Sequence, residues 1–471
     1  MSGRLRQRQL AILSTVLICT SAIQVHAATI FVTNTNDDGT GSLRQALRSA
    51  NDGDTINFAV TGEITLTSGG LPINKNITIP GPGAGQLSID GNQALVVFGV
   101  LPEKTAAISG LTIRNAQTGI LNEGTLAVSN CTVSANSEVA LYNNGTLNVS
   151  NSIVILNSFG LSNDHAEVTI SNSVVTANSN GGIFNNGSHG PAQLFERGTN
   201  RRETKSTNTD CFTGACLTVE RSIISDNSGT AIYNTGSVAI LNSTLSGNSA
   251  GQGDSGGGVK TGDFKNPGSS ATIINSTISG NSASEGGGIS NCYGFVSVVN
   301  STISGNSAKY DGGGIGNCGA VEIANSTVSD NSAPAGFGGG IINNGALETG
   351  NTIFNAGASG ENIVNNGGTV TSRGYNISSD DGGGVLTGPG DQINTDPLLG
   401  PLQDNGGSTL THLPLPGSPA IDAGDPEFTR PPYHDQRGSC FYRVFGRRID
   451  IGSVETQPRP RCVSPAPRPS P

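Results

Sequence analysis

Short stretches in which apolar and polar residues alternate recur through this chain: TLAV (125–128), TLNV (146–149), EVTI (167–170), SVAI (237–240) and VSVV (296–299). Period two places successive side chains on opposite faces, so each stretch predicts a short strand with one face buried. Asn and Gly interrupt the strands three times per unit. That spacing describes a coil with three faces, whose successive turns pair in parallel about 4.8 Å apart.

Aligning the units exposes three columns of Asn. The first holds Asn130, Asn151, Asn172, Asn242, Asn275, Asn300 and Asn325, with Arg221 substituting once. The second, six residues on, holds Asn136, Asn157, Asn178, Asn227, Asn248, Asn281, Asn306 and Asn331. The third holds Asn122, Asn143, Asn163, Asn185, Asn234, Asn291, Asn317, Asn343 and Asn365, with Thr261 as the exception. Asn tolerates the left-handed conformation of a corner, and stacked amides can bond the copies above and below. The run NSTISGNSA stands unchanged at 275–283 and 300–308, as rungs that must match their neighbours would require.

Composition sharpens this reading. With 68 Gly, no Trp and 13% charged residues in 471, the chain fits a repeat solenoid better than a compact domain. Low charge also suits disorder, but a disordered tract has no reason to space Ile, Val and Leu regularly. The expected fold is all-β: a right-handed parallel β-helix with a short N-terminal capping helix and a C-terminal capping segment. In GSLRQALRSAN, Leu43, Ala46, Leu47 and Ala50 share one helical face, which predicts the lid on the first rung.

Arg4, Arg6 and Arg8, an apolar run from Leu10 to Cys19, and VHA before Ala28 predict a secretory signal over 1–27. A lipoprotein signal at Cys19 is the alternative, with the bulky Ile18 fitting it badly. The apolar run is short for a membrane span, and removing its three Arg takes the formal charge from −10 to −13. No basic face for nucleic acid is apparent. The predicted divisions are 28–100 for the cap and first rungs and 101–390 for the helix, with insertions at 188–216 and 251–270. A capping segment follows over 391–456, then a Pro-rich, disordered tail over 457–471.

The rungs resemble the right-handed parallel β-helix of the pectate-lyase-like superfold. GGGISN (286–291) and GGGIGN (312–317), alternating with TISGN, resemble the paired motifs of polymorphic outer-membrane proteins, with Gly for Ala and Ile for Phe. DDGTGSLRQALRSANDGDTINF (37–58) resembles the CSLREA segment. SPAIDAGD (418–425), DQRG (435–438) and DIGSVE (450–455) resemble the choice-of-anchor Q segment. These resemblances imply fold and export rather than an activity; the end here carries no hydrophobic anchor.

Seven Cys remain after signal removal. Cys292 and Cys318 each follow a third-column Asn, so the register predicts a bridge between successive rungs, with two reduced thiols as the alternative. Cys211 and Cys216 clip the loop CFTGAC, Cys440 and Cys462 form a further candidate pair, and Cys131 is left as a free thiol.

Three candidate sites follow. Glu285 and Asp311 each precede a Gly triplet; stacked, they could bind Ca²⁺ or act as a glycosidase pair, the alternative being solvated turns. Polygalacturonase-like enzymes use Asn-Thr-Asp, an Asp pair and Gly-His-Gly on successive rungs. Here NTD (208–210, 394–396), DD (380–381) and SHG (188–190) fall in neither that order nor that spacing, so no catalytic residue is assigned and no cofactor beyond Ca²⁺ is implied. The third site is an outward strip of one residue per rung: Leu121, Tyr142, Ser162, Phe184 and Tyr233, continuing through Lys260, Ser290, Gly316, Ile342 and Val364. Its aromatics Tyr142, Phe184 and Tyr233 would suit a glycan or peptide, unless the insertion at 188–216 packs over them. The sequence therefore points to a monomeric, secreted or cell-surface scaffold that binds an extracellular glycan or cell-surface ligand without catalysis. The alternatives are a polysaccharide lyase or glycoside hydrolase, and a structural surface-layer component.

Overall fold

The computed structural model describes residues 27–187, 214–251, 253–334, 337–430 and 432–458. Residues 1–26 of the expected signal, the centre of the first insertion, Cys211, Cys462 and most of the tail lie outside them.

The chain winds as the right-handed parallel β-helix that the periodicity predicts. Among the described residues its strands form sheets of 14, 13 and 12 strands, each pairing one rung with the next. Pairing is in register along the stack. Leu126 meets Leu147, Val168 and Leu217 in turn, while Val128 meets Val149, Ile170 and Val219. These side chains are buried and run as continuous apolar files through the core. Each inward file removes apolar surface from water on every rung, the main favourable term holding the stack together.

The three Asn columns divide the remaining work. First-column residues sit at corners, with φ of 52° at Asn130, 51° at Asn275, 55° at Asn300 and 52° at Asn325. Asn300 Nδ2 donates to Asn275 Oδ1 at 2.9 Å, so these corners form one axial file. Second-column amides point inward and form an unbroken chain: Asn248 donates to Asn281 at 2.9 Å, Asn281 to Asn306 at 2.9 Å and Asn306 to Asn331 at 2.9 Å. Third-column amides do likewise from Asn122 to Asn234 and again from Asn291 to Asn365. Beside them runs a hydroxyl file in which the Ser152 N–H donates to Ser173 Oγ and the Cys131 N–H to Ser152 Oγ. Between rungs the backbones approach so closely that a Cβ on Gly145 would lie 2.0 Å from the Gly124 carbonyl oxygen.

Thr261 breaks the third ladder. Its buried hydroxyl and Asn291 Oδ1 both lack partners. Thr261→Asn is expected to close the gap and raise the unfolding free energy by about 1 kcal/mol. Chemical denaturation checks this, and an unchanged or lower midpoint would count against the ladder's contribution.

The N-terminal lid is the helix Leu43–Ser49. Ser42 caps it by accepting from the Gln45 N–H, and Leu43, Ala46, Leu47 and Ala50 are buried against the first rungs as expected. Arg44 is buried with it, paired to Asp37 at 2.6 Å. Burial opposes ionisation of Asp37, but bonds from Ser68, Arg44 and Thr67 outweigh it and hold the carboxyl below the usual carboxylate range.

The C-terminal segment departs from expectation. Residues 391–456 lie along the outer face of the 13-stranded sheet, across four late rungs, rather than only over the end of the stack. Thr277 Oγ1 donates to Leu410 O at 2.6 Å, and Thr302 Oγ1 to Gln436 Oε1 at 2.6 Å. Ser453 Oγ lies 3.1 Å from both the Thr302 and Thr327 hydroxyls. Asn351 Nδ2 donates to Asp450 O at 3.1 Å. His412 Nδ1 lies 2.7 Å from Gly400 O, which can only accept, so the proton sits on Nδ1 while Nε2 meets Ser304 Oγ at 2.8 Å. At the end of the stack itself, the turn around Gly382–Gly384 brings Leu386 into the core cluster. The brace gives a second reason for the identical late rungs. Outward Thr and Ser of Thr132–Ser134 are half-buried, whereas those of Thr277–Ser279 and Thr302–Ser304 are buried beneath the segment that hydrogen-bonds them.

Candidate functional site

The outward strip lies on the 12-stranded sheet. In each of its strands an inward apolar residue and an inward Asn flank one side chain that faces out: Leu141-Tyr142-Asn143, Ile183-Phe184-Asn185 and Ile232-Tyr233-Asn234. Strand pairing sets Leu121, Tyr142, Ser162, Phe184, Tyr233, Lys260 and Ser290 in one line. The Phe184 and Tyr233 rings are 5.0 Å apart and tilted by 54°, and Lys260 Nζ stands 5.0 Å from the Tyr233 centroid. Aromatic faces and an ammonium are thus contiguous over three rungs. Further along, Ser290 and Ile342 are buried, so the open strip is shorter than the sequence column.

Two carboxylates anchor the tyrosines. Tyr233 OH donates to Asp263 Oδ2 at 3.1 Å, and Tyr142 OH to Asp164 Oδ2 at 3.3 Å. Burial, then the Asp263 charge and hydrogen bond, pushes the Tyr233 phenol up to about 12. Burial and Asp164 push Tyr142 in the same direction. Both phenols therefore hold their protons at neutral pH. Burial opposes ionisation of Asp263, but the Lys265 and Asn266 N–H groups and the two side-chain donors lower its titration overall.

Asp164 does more than hold Tyr142. Its Oδ1 lies 2.6 Å from His165 Nδ1 and accepts from Asn186 Nδ2 at 2.7 Å. A carboxylate on one imidazole nitrogen orients the ring and fixes its tautomer, the arrangement a general base or acid requires. Neither Asp164 nor His165 stood out in the sequence. The available signal was an acid at 164 in the corner column after the third Asn, where neighbouring rungs carry Asn144 and Asn186. Asp263 lies in the second insertion, outside any column. Near it, exposed Phe264 and Tyr293 meet edge to face at 6.0 Å.

The other candidates separate from this strip. Glu285 and Asp311 do face one another across the short pair of strands Ser282–Glu285 and Ser307–Asp311, and burial raises the Asp311 carboxyl. Among the described residues, no group of three or more His, Cys, Asp or Glu gathers there or elsewhere to hold a metal. Asp380 is spent on its own turn, accepting from the Asn362 and Gly382 N–H groups, and Asp396 accepts from the Leu398 N–H. The NTD at 208–210 and the SHG lie outside the described residues.

The expected Cys292–Cys318 bridge is absent: both thiols are free. The register is as predicted, with Asn291 paired to Asn317, and the Cys318 N–H donating to Asn291 O at 2.8 Å. The sulfurs meet through a hydrogen bond instead, and each has a second polar neighbour, Ser290 for Cys292 and Asn344 for Cys318. Cys131 is free and buried, and burial pushes its thiol up to about 11. Cys216 and Cys440 are disulfide-bonded, while their expected partners Cys211 and Cys462 lie outside the described residues.

No protein-family model matches this chain, and no curated protein matches it in sequence. Solved structures do. Pectate lyase Pel9A is 15% identical with a TM-score of 0.45, over 91% of this chain and 96% of its own. The catalytic unit of an α-1,3-glucanase from Streptomyces thermodiastaticus is 15% identical with a TM-score of 0.44, over 74% of this chain and 68% of its own. A mannuronic-acid-specific polysaccharide lyase from human gut microbiota is 10% identical with a TM-score of 0.39, over 73% and 91%.

Proposed function

We propose that this chain is an exported solenoid that binds an extracellular polysaccharide along the outward strip of its 12-stranded sheet. The observation that carries the reading is the contiguous run Phe184, Tyr233 and Lys260, with Phe184 and Tyr233 in ring contact and Lys260 over the Tyr233 face, and Tyr142 in the same line one rung beyond Ser162. Such a surface suits a sugar chain: ring faces cover apolar C–H patches, while the phenols, Lys260 and Asp164 meet hydroxyls. The expected bridges to Cys216 and Cys440, and export itself, belong to this proposal.

A second reading, cleavage of the same polysaccharide, is favoured by one observation. His165 is held by Asp164 beside the strip, with Tyr142 on the same carboxylate. A panel of neutral and acidic polysaccharides, scored for both binding and release of reducing or unsaturated ends, tests the two together. Binding without release supports the first reading. Release that is lost in His165→Ala supports the second. Neither binding nor release across the panel contradicts both.

A further inference from the structure

Cys292 and Cys318 occupy a column of polar side chains on the outer corner of the 12-stranded sheet. Elsewhere along the stack the same column is bonded from turn to turn: Asn186 Nδ2 donates to Asp164 Oδ1, and Asn366 Nδ2 to Asn344 Oδ1 at 2.8 Å, while Gly262 leaves the rung just before Cys292 without a side chain there. The two thiols continue this pattern with an S–H donating to sulfur, and Asn344 follows Cys318. Unlike buried Cys131, they are reachable: Cys292 is half-buried and Cys318 exposed.

Their surroundings distinguish the two. Cys292 Sγ receives the hydrogen bond from Cys318 and lies 3.8 Å from Ser290 Oγ, and the Lys260 ammonium adds its field. The bond from Cys318 is the largest influence, and with Ser290 and Lys260 it outweighs burial and Glu285, so Cys292 ionises below the ordinary thiol value. Cys318, as the donor, holds its proton more tightly. Of the two, Cys292 is therefore the more readily ionised. A thiolate beside a cation and two donors, with a second thiol in contact, is the arrangement of an attacking and a resolving cysteine.

We propose that Cys292 is a nucleophilic thiol and Cys318 its resolving partner, forming a site of reversible modification by small-molecule disulfides. Cys292 thiolate attacks one sulfur of the disulfide R–S–S–R. The S–S bond breaks, a Cys292–S–S–R bond forms and RS⁻ leaves, taking up the proton that Cys292 gave to solvent. Cys318 then loses its proton, attacks Cys292 Sγ and expels the second RS⁻. The protein gives up two electrons and two protons, and the small disulfide becomes two thiols. Strand spacing of about 4.8 Å lies within the Cα range a disulfide spans, and the exposure of Cys318 leaves the product open to reduction.

The test uses the full chain, with its surface thiols reduced, exposed to oxidised glutathione and followed by intact mass and peptide mapping. Cys318→Ser is expected to accumulate one glutathione on Cys292 and keep it. The unaltered chain should pass through that adduct to a form lacking two hydrogens and no glutathione, restored by dithiothreitol. Cys292→Ser should react at least about tenfold more slowly. Cys318→Ala, which removes the donated hydrogen bond, should show a higher half-maximal pH for alkylation of Cys292 by iodoacetamide than the unaltered chain. The proposal is overturned if Cys292→Ser reacts as fast as Cys318→Ser, if the unaltered chain retains its adduct equally long, or if no form takes up glutathione.

Discussion

Asn306→Ala is expected to cost about 3 kcal/mol, among the largest losses any single side chain of the solenoid can cause. Asn306 Oδ1 accepts from both the N–H and Nδ2 of Asn281, at 3.0 and 2.9 Å, while its own Nδ2 donates to Ile278 O and Asn331 Oδ1. All of these atoms are buried, so truncation strands the Asn281 N–H and removes a partner from Ile278 O, with no water to replace them. The amide bonds to Asn281 on one side and to Asn331 on the other, so the loss falls on both interfaces of one rung. Equilibrium denaturation measures it. The adjacent exposed Ser307→Ala is the control and should stay within about 0.5 kcal/mol of the parent. Equal effects at 306 and 307 would mean that the amide file is not what secures the stack.

A loss of stability with rising pH is expected from the brace. Five charged residues are buried in it: Asp435, Arg437, Arg443, Asp450 and Glu455. Arg437 pairs with Asp435 at 2.6 Å. Glu455 accepts from the Phe445 and Asp450 N–H groups at 2.8 and 2.9 Å, and Arg443 donates to Gly452 O at 2.6 Å. Two guanidinium groups face three carboxyls, so the cluster is neutral when it keeps one proton. Burial, followed by the charge of Asp450, raises Glu455 to about 8; burial raises Asp450 as well. A carboxyl whose titration is raised on folding binds its proton more tightly in the folded state. Its contribution is therefore fully present below the unfolded value of about 4.3 and is lost as pH climbs through the folded one. The melting temperature should fall from pH 5 to pH 9, with the C-terminal segment loosening first from Thr302 and Thr327, as amide exchange can follow. Glu455→Gln should flatten that slope; an equally steep slope in the variant would place the proton elsewhere.

Much of this architecture was legible because it repeats. The Asn columns, the inward apolar files and the helix over 43–49 each follow from a spacing, and each lies where that spacing put it. The brace has no period, so nothing in 391–456 announced which face it would cover; its trace was indirect, in the sameness of Thr277 and Thr302. The outward strip was legible as a column, but Asp164, His165 and Asp263 were not, since their meaning comes from neighbours one rung away or in an insertion. The cysteines show the same division: register set Cys292 beside Cys318, while their thiol state depends on Ser290, Lys260 and Asn344 around them.

The most direct measurement for the central claim is a binding titration with whichever polysaccharide the panel identifies. It compares the unaltered chain with Tyr142→Ser, Tyr233→Ser and Ser297→Tyr, the last set on the 14-stranded sheet, away from the strip. Each tyrosine loss should weaken affinity by about tenfold, or roughly 1.4 kcal/mol, at an unchanged fold by circular dichroism. Ser297→Tyr should leave it alone. Affinity that survives both tyrosine losses would contradict the assignment of this face.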